Sequence, residues 1–253
     1  MMNRRLESIK QYIARHREVK LSQLEELLPD VSSMTLRRDL AQLERQGYVV
    51  RFRGGARAVD ALSVKQMRED IYTKRELENR DGKLFIAGKA VPLLEEGRSV
   101  YIDAGSTGMY FASQIPNQKL SVLTNAPNIA MELSKHDKIE ILLVGGYLSQ
   151  NMAISGANAM DFIKNINVDI AFMTTAGFSL DTGFTNGSAD ECHIKRSIIR
   201  KSRKKVMLMD HLKLDKCMMF TFAGLKDIDV LVCDQPLPEP VRQQAEEHHI
   251  RIL

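Results

Sequence analysis

Residues 32–47 read SSMTLRRDLAQLERQG, and the spacing of their apolar positions decides what the first sixty residues are. On a helical wheel at about 100° per residue, Leu36, Leu40 and Leu43 fall in one narrow stripe that must pack inward. Met34, Thr35, Arg38, Ala41 and Arg45 then lie on the opposite face, with Arg37 on its flank. Either Ser32 or Ser33 can cap this helix, which is expected to reach about Gln46 and stop at Gly47. Working back toward the start, Leu6, Ile9 and Ile13 predict a first helix from Asn3, a candidate N-cap, to about Arg15. Ser22 can cap a short second helix carrying Leu24, Leu27 and Leu28, and Pro29 ends it by steering the preceding residue away from helical torsions. The turn Pro29-Asp30-Val31 joins it to the third helix.

Downstream of Gly47 the pattern changes period. Tyr48 to Arg53 predicts a strand, Gly54-Gly55 a turn, and Ala56 to Val59 a returning strand, with Arg51, Arg53 and Arg57 clustered around the hairpin. A helix presented across a short turn from its predecessor can lie in the major groove. Ser33, Thr35, Arg37 and Arg38 would then be nearest bases and phosphates, Arg taking guanine bidentately and the hydroxyls positioning the backbone. The alternative is the solvated outer face of a three-helix bundle. A basic hairpin beside a basic helix gives two contact elements on one side, which points to a winged helix-turn-helix module.

Charge agrees with that placement. Residues 1–60 hold 12 Lys+Arg against 8 Asp+Glu, a balance of +4, and the remaining 193 residues hold 24 of each, so the whole excess of the chain sits at its N-terminus. A small basic segment on a neutral body is what attraction to a phosphate backbone requires. With 253 residues, 44% hydrophobic and 27% charged, the chain has material for one large and one small domain and is neither disordered nor fibrous in composition. No apolar run reaches the roughly 18 residues of a membrane helix, and no apolar stretch follows the first residues as in a signal peptide, so a cytoplasmic protein is expected. Cys192, Cys217 and Cys233 lack paired spacing and read as reduced thiols, with no metal or cofactor implied.

The expected organisation is a winged helix-turn-helix domain over 1–58, a mixed-charge linker over 59–80 and a larger α/β domain over 81–253. In the last, apolar runs at Ser99 to Asp103, Leu120 to Thr124, Ile139 to Val144, Asp169 to Thr174, Lys205 to Met209 and Val230 to Cys233 alternate with helical stretches such as Gly82 to Leu94 and Asp190 to Arg203. This predicts an open, mostly parallel sheet with crossover helices. In such sheets ligands gather at the carboxyl ends of strands. Those ends read Asp103-Ala104-Gly105-Ser106-Thr107, Thr124-Asn125, Gly145-Gly146, Thr174-Thr175-Ala176-Gly177, and Asp210 with Lys213 three residues on. Gly105-Ser106-Thr107, before a helix starting near Gly108, offers N–H groups and two hydroxyls suited to phosphate, although strand-to-helix turns also use these residues structurally. The basic run Arg196, Arg200, Lys201, Arg203, Lys204, Lys205 reads as a solvated helix end favoured by the helix dipole, with a second DNA patch as the alternative.

Two sets of motifs carry a family resemblance. Ser32-Ser33-Met34-Thr35-Leu36-Arg37-Arg38-Asp39-Leu40, Leu43-Glu44-Arg45-Gln46-Gly47 and Arg53-Gly54-Gly55-Ala56 resemble the N-terminal signature of DeoR-family regulators. The Thr-x-Arg-Arg-Asp-Leu core is specific to that family rather than generic to helix-turn-helix proteins. Asp103-Ala-Gly-Ser-Thr, Thr124-Asn125, Gly145-Gly146, Gly183-Phe184-Thr185 followed by Glu191 and Lys195-Arg196, and Asp210-x-x-Lys213 are similar to the family's effector domain. The Leu28-Pro29-Asp30-Val31 turn is about one residue longer than the family's commonest form, and Ser106 stands where Thr is frequent.

The resemblance implies a transcriptional regulator, by family habit a repressor of a sugar or carbohydrate catabolic operon. It would bind a double-stranded DNA operator through Ser32, Ser33, Thr35, Arg37, Arg38, Arg45, Arg51 and Arg53, as a homodimer or higher oligomer. A phosphorylated sugar or related metabolite would bind the α/β domain, whose fold in the family resembles phosphosugar isomerases, sugar-phosphate deaminases and coenzyme A transferases. Gly105, Ser106 and Thr107 would hold the phosphate, and Lys195 and Lys213 would add positive charge. Asp103, Asn125, Glu191 and Asp210 would meet hydroxyls, with Thr124, Gly145 and Gly146 completing the rim. The rival is a phosphosugar isomerase or deaminase, which needs an acid and a base around the reacting carbon. The stretch Thr174 to Phe178, matching the Asp-rich turn of the isomerases, has no carboxylate, so no catalytic residue is expected.

Overall fold

The computed structural model describes residues 2–16, 18–46, 48–52, 54–58 and 72–253, without the side chains of 2–4, 11, 14, 15, 18, 50, 57 and 58. Its residues divide into two compact units.

The N-terminal unit runs α1 (Met2–His16), β1 (Glu18–Lys20), α2 (Leu21–Leu27), α3 (Ser33–Arg45), β2 (Val49–Phe52) and β3 (Gly55–Ala58). Leu36, Leu40 and Leu43 of α3 are buried with Ile9 and Ile13 of α1 and Leu24 of α2, as the helical spacing requires. Two expected caps differ. Asn3 lies inside α1, and Ser22 lies in the first turn of α2, where Gln23 instead accepts the Lys20 N–H at 2.8 Å. Ser32 is the cap of α3, its hydroxyl accepting the Thr35 N–H at 3.3 Å. The expected stop at Gly47 and the end of the first hairpin strand at Arg53 lie outside the described residues.

The hairpin β2–β3 gains a third strand, giving an antiparallel sheet in the order β1-β3-β2. β1 is only three residues long and has no periodicity of its own; it exists because Val19 pairs with Ala56. The expected Gly54-Gly55 turn shifts, since Gly55 already belongs to β3, paired with both Lys20 and Phe52, and only Gly54 of the two stays in the turn. Gly54 has φ +102°, and a Cβ on Gly55 would fall 2.1 Å from the Val19 carbonyl oxygen.

The larger unit is reached through α4 (Tyr72–Leu77) and α5 (Arg80–Ala90). It continues β4 (Ser99–Ile102), α6 (Ser106–Ala112), β5 (Leu120–Thr124), α7 (Pro127–Leu133), β6 (Ile139–Leu143), β7 (Tyr147–Leu148), β8 (Ile154–Ser155) and α8 (Ala157–Ile163). It closes with β9 (Val168–Thr174), β10 (Gly177–Ser179), β11 (Gly183–Asn186), α9 (Ala189–Lys201), β12 (Ser202–Met209), β13 (Phe220–Ala223), β14 (Val230–Cys233), α10 (Glu239–Glu247) and β15 (Arg251–Ile252). Seven strands form one parallel sheet in the order β15-β14-β12-β9-β4-β5-β6.

Period-two alternation splits the core in two. Tyr101, Ala171, Met173 and Met207 pack with Cys192 and Ile198 of α9, whereas Val100, Ile102, Phe172 and Leu208 pack with Phe111 of α6 and Ile129 of α7. The sheet is therefore covered on both faces. Small antiparallel sheets, β10-β11-β13 and β7-β8, accompany it.

Three sequence expectations shift. Residues 73–81 cluster with the N-terminal unit and 82–253, with Tyr72, with the larger one, so the described part of the expected 59–80 linker is α4 and the start of α5; residues 59–71 lie outside the described residues. The helix expected over 82–94 ends at Ala90 in a 3-10 turn, Val91–Leu93, because Pro92 has no N–H to continue it. The helix expected to reach Arg203 ends at Lys201, since Ser202 already pairs with Val168 and Lys204 with Ile170. Arg203, Lys204 and Lys205 are thus strand residues, and only Arg200 and Lys201 form a basic helix end.

Among the described residues no helix is long and apolar enough to cross a membrane. Cys192 and Cys233 are buried, which pushes each thiol up to about 11, whereas Cys217 is exposed. Titration of the native protein with a disulfide reagent near pH 8 is expected to consume one thiol rapidly and all three only in denaturant. Rapid reaction of two or more in the native state would contradict this packing.

Candidate DNA-binding and effector sites

The outward face of α3 is shaped by carboxylates as much as by arginines. Asp39 is 4% exposed and accepts both Arg5 Nε, at 2.6 Å, and Arg5 Nη2, at 3.1 Å, so α1 is clamped to α3. The bond to Asp39 holds the Arg5 guanidinium above its ordinary pKa. Glu44 accepts the Arg51 N–H at 2.9 Å and Arg51 Nε at 2.6 Å, tying β2 to the same helix. Ser33 donates to Glu25 at 2.5 Å, joining α3 to α2. Of the residues expected to meet DNA, Ser32, Ser33, Arg51 and the half-buried Thr35, whose hydroxyl lies 2.9 Å from that of Ser32, thus have structural partners, and Arg37, Arg38 and Arg45 are exposed. Arg53 lies outside the described residues. A groove of about 650 Å³ beside α3 is lined by Arg5, Thr35, Arg38, Arg45, Arg51 and Arg80.

The leucine stripe alone does not single out Asp39, yet its position on the wheel carries a signal. It falls about 60° from Leu36 and 40° from Leu43, so an acid stands on the apolar stripe and needs a partner.

In the larger unit the chain leaves β4 toward β5 and β6, then returns to β9 and proceeds through β12 and β14 to β15. The strand order therefore reverses between β4 and β9, and the crevice beyond their carboxyl ends is where such sheets take ligands. Asp103, just past β4, sits there at 1% exposure. Its Oδ2 receives Lys195 Nζ from α9 and the Thr174 N–H at 2.9 Å. Thr174 Oγ1 is 2.9 Å from the same oxygen and 2.8 Å from the Ala104 carbonyl. Lys195 also donates to the Thr174 carbonyl at 3.1 Å.

Tyr101, fully buried, donates to Asn125 Oδ1 at 2.9 Å; burial first, and then the charge of Asp103, hold its phenol well above the ordinary tyrosine pKa. Asn125 Oδ1 also accepts the Ala104 N–H at 3.1 Å, and its Nδ2 donates to the Ile154 carbonyl at 3.2 Å. Thr124 Oγ1 donates to the Ile102 carbonyl at 2.7 Å and accepts the Ala126 N–H at 3.1 Å. The loop packs so closely on β9 that a Cβ on Gly105, whose φ is +151°, would lie 2.8 Å from Thr174 Oγ1.

Asp103, Gly105, Asn125 and Lys195 are therefore brought into one network, together with Thr174, read in the sequence as a strand end without a role of its own, and Tyr101, which the sequence pattern does not select. Ser106 and Thr107 open α6; both are buried, and among the described residues neither hydroxyl has a hydrogen-bond partner. Glu191, capped into α9 by Ser188, accepts Asn151 Nδ2 and Asn186 Nδ2, each at 3.3 Å. Asp210, fully buried past β12, accepts the Leu212 N–H at 2.9 Å through Oδ1, while its Oδ2 has no partner among the described residues. Lys213 is half-buried in the following 3-10 turn. Gly145 and Gly146 are exposed past β6, and Gly146 lies against β8, outside the bonded network. His211, another residue without a signal in the sequence pattern, bonds Asp234 through Nδ1 and its backbone N–H, each at 2.7 Å.

Both units match known families. Residues 5–61 match the DeoR-like helix-turn-helix domain and residues 78–235 the DeoR C-terminal sensor domain. The chain belongs to the DeoR family. It is 34% identical to the transcriptional regulator GlpR of Haloferax volcanii, over 88% of this chain and 86% of that one. It is 31% identical to the glycerol-3-phosphate regulon repressor of Escherichia coli, over 88% and 87%, and to the transcriptional repressor GlcR of Bacillus subtilis, over 91% and 88%. A solved ribose 5-phosphate isomerase A of Methanocaldococcus jannaschii aligns over 54% of this chain and 55% of its own, at 19% identity and TM-score 0.41. As a DeoR-family member the chain is a DNA-binding transcriptional regulator and not an enzyme.

The ion pair of this DeoR-type sensor domain has a measurable cost of disruption. Lys195→Met strands Asp103 as a buried, uncompensated charge and is expected to destabilise the larger unit by about 3–5 kcal/mol. Lys195→Met combined with Asp103→Asn should recover a large part of that loss in urea unfolding. Equal stability of the single variant and the wild type would show that the pair is not desolvated in solution.

Proposed function

We propose that this regulator is a cytoplasmic repressor of a carbohydrate catabolic operon, released from its operator when the larger domain binds a phosphorylated sugar or related metabolite. The observation that carries this reading is the position of Ser106 and Thr107. Their hydroxyls, unengaged among the described residues, and the N–H groups of the first turn of α6 lie where the strand order reverses. A phosphate bound there needs a cation. Lys195, bonded to Asp103, and Lys213, in the 3-10 turn that follows Asp210, are the two candidate sources. Asp210 Oδ2, buried without a protein donor among the described residues, suits a ligand hydroxyl. One relative is named for a glycerol-3-phosphate regulon, which fits a small phosphorylated ligand.

On the DNA side, we assign the exposed Arg37, Arg38 and Arg45 with Thr35 to the major groove and its flanking phosphates, with Ser32 and Ser33 holding the helix start and Arg51 and Arg53 as further contacts to phosphate. A homodimer or larger oligomer would place two such modules on a repeated operator. Effector binding lowers DNA affinity to the extent that it favours a state in which the modules no longer match the half-sites.

The test is a gel shift on candidate operator DNA titrated with sugar phosphates, paired with thermal-shift measurements on the same ligands. Arg38→Ala is expected to weaken operator binding by about 1–3 kcal/mol without changing ligand affinity. Lys213→Ala is expected to leave operator binding intact and raise the ligand concentration needed for release. If both folded variants lose both functions equally, the division between the two sites is wrong.

A further inference from the structure

The first turn of α7 makes a side-chain hydrogen bond that neither site accounts for. Asn128 Nδ2 donates to the hydroxyl of Tyr72 at 2.7 Å. Tyr72 is 7% exposed and is the first residue of α4. It packs with the larger unit, whereas the next residues, Thr73 to Asp81, cluster with the N-terminal unit. The chain therefore changes allegiance one residue after the bond.

The other end of Asn128 is incomplete. Its Oδ1 is buried and, among the described residues, accepts no hydrogen bond. A buried amide satisfied at one end is costly to keep, and native structures have few of them. The same amide can meet the phenol with roles reversed, Oδ1 accepting from the hydroxyl, so this contact has two discrete arrangements available to it.

Asn128 also lies four residues beyond the strand end that lines the candidate effector site. β5 stops at Thr124, and α7 begins at Pro127. Thr124 Oγ1 fixes the Ala126 N–H at 3.1 Å and the Ile102 carbonyl at 2.7 Å, and Asn125 is held by Tyr101 and by the Ala104 N–H. The start of α7 is thus fastened to the rim on one side and to Tyr72 on the other. Hydrogen bonds weaken steeply with distance and angle, so a small displacement of this turn is enough to exchange or break the second fastening.

We propose that the Asn128–Tyr72 hydrogen bond couples the effector-site rim to the connecting helix α4, and through the chain beyond Tyr72 to the DNA-binding unit. Asn128 and Tyr72 act as positioning residues and touch neither DNA nor ligand. The location of the ligand rests on the effector reading above; the coupling between rim and α4 does not.

A ligand-free double-mutant cycle on the full chain decides it. Backbone hydrogen exchange is measured over 127–133 and 72–77 in the wild type, Thr124→Val, Tyr72→Phe and the double variant. Thr124→Val removes both hydroxyl bonds at nearly constant volume, and Thr124→Ala replaces it if valine is not accommodated. Loosening the rim is expected to speed exchange in both segments, by about threefold or more in 72–77. With Tyr72→Phe, the 127–133 response remains and that of 72–77 disappears; Asn128→Ala in place of Tyr72→Phe gives the same result. An unchanged response of 72–77 in the Phe background overturns the coupling.

Glycerol 3-phosphate and glucose 6-phosphate, added at saturating concentration to the wild type and Tyr72→Phe, ask the separate question. Protection of residues 104–108 with equal 72–77 responses in both proteins sinks the coupling and leaves the effector reading standing. Failure of both probes to protect 104–108 counts against the effector reading alone, and the ligand-free cycle still decides whether rim and α4 are coupled.

Discussion

A lysine and an aspartate, 92 residues apart and both shut off from water, meet where the parallel sheet changes direction. Asp103 follows one strand, Thr174 closes the next, and Lys195 comes from the helix laid over them. Taking two charges out of water is unfavourable, and a pair of apolar residues of similar volume is often as stable or more so. The pair makes physical sense as a brace. It fixes the relative position of three elements with directional bonds that an apolar contact would leave free to slide.

The brace also determines how charge is available to a ligand. Asp103 Oδ2 already serves Lys195 and the Thr174 N–H, and Asn125 Oδ1 already serves Tyr101 and the Ala104 N–H. The polar residues at the strand ends therefore belong to two kinds. One kind builds the crevice and is spent on it; the other, Ser106, Thr107 and Asp210 Oδ2, retains hydrogen-bonding capacity. The N-terminal unit repeats the arrangement, since Asp39 and Glu44 use Arg5 and Arg51 to hold α3 while Arg37, Arg38 and Arg45 stay exposed.

Local pattern is a good guide wherever burial imposes it. Leu120–Thr124 and Val230–Cys233 are covered on both faces, so their apolar runs announce strands with the right ends. The leucine stripe announces α3 in the same way. Elements made by partners cannot be read locally: β1 needs β3, and β7, β8 and β15 are two residues long. Rim residues are legible because small and polar side chains stand at strand ends. Their wiring is not, because the link from Asp103 to Lys195 and that from Arg5 to Asp39 span 92 and 34 positions that no helical or strand period connects.

One junction bears on how the domain can move. α9 ends at Lys201 and β12 begins at Ser202, with no intervening loop. The helix bearing Glu191 and Lys195 thus runs without slack into the strand leading to Asp210, which the ladder to β9 anchors from Ser202 to Leu208. Compliance has to be found on the opposite wall of the crevice, where α6 and α7 are seven-residue helices entered and left by loops. An arriving molecule would press against a fixed anvil and displace the lighter side.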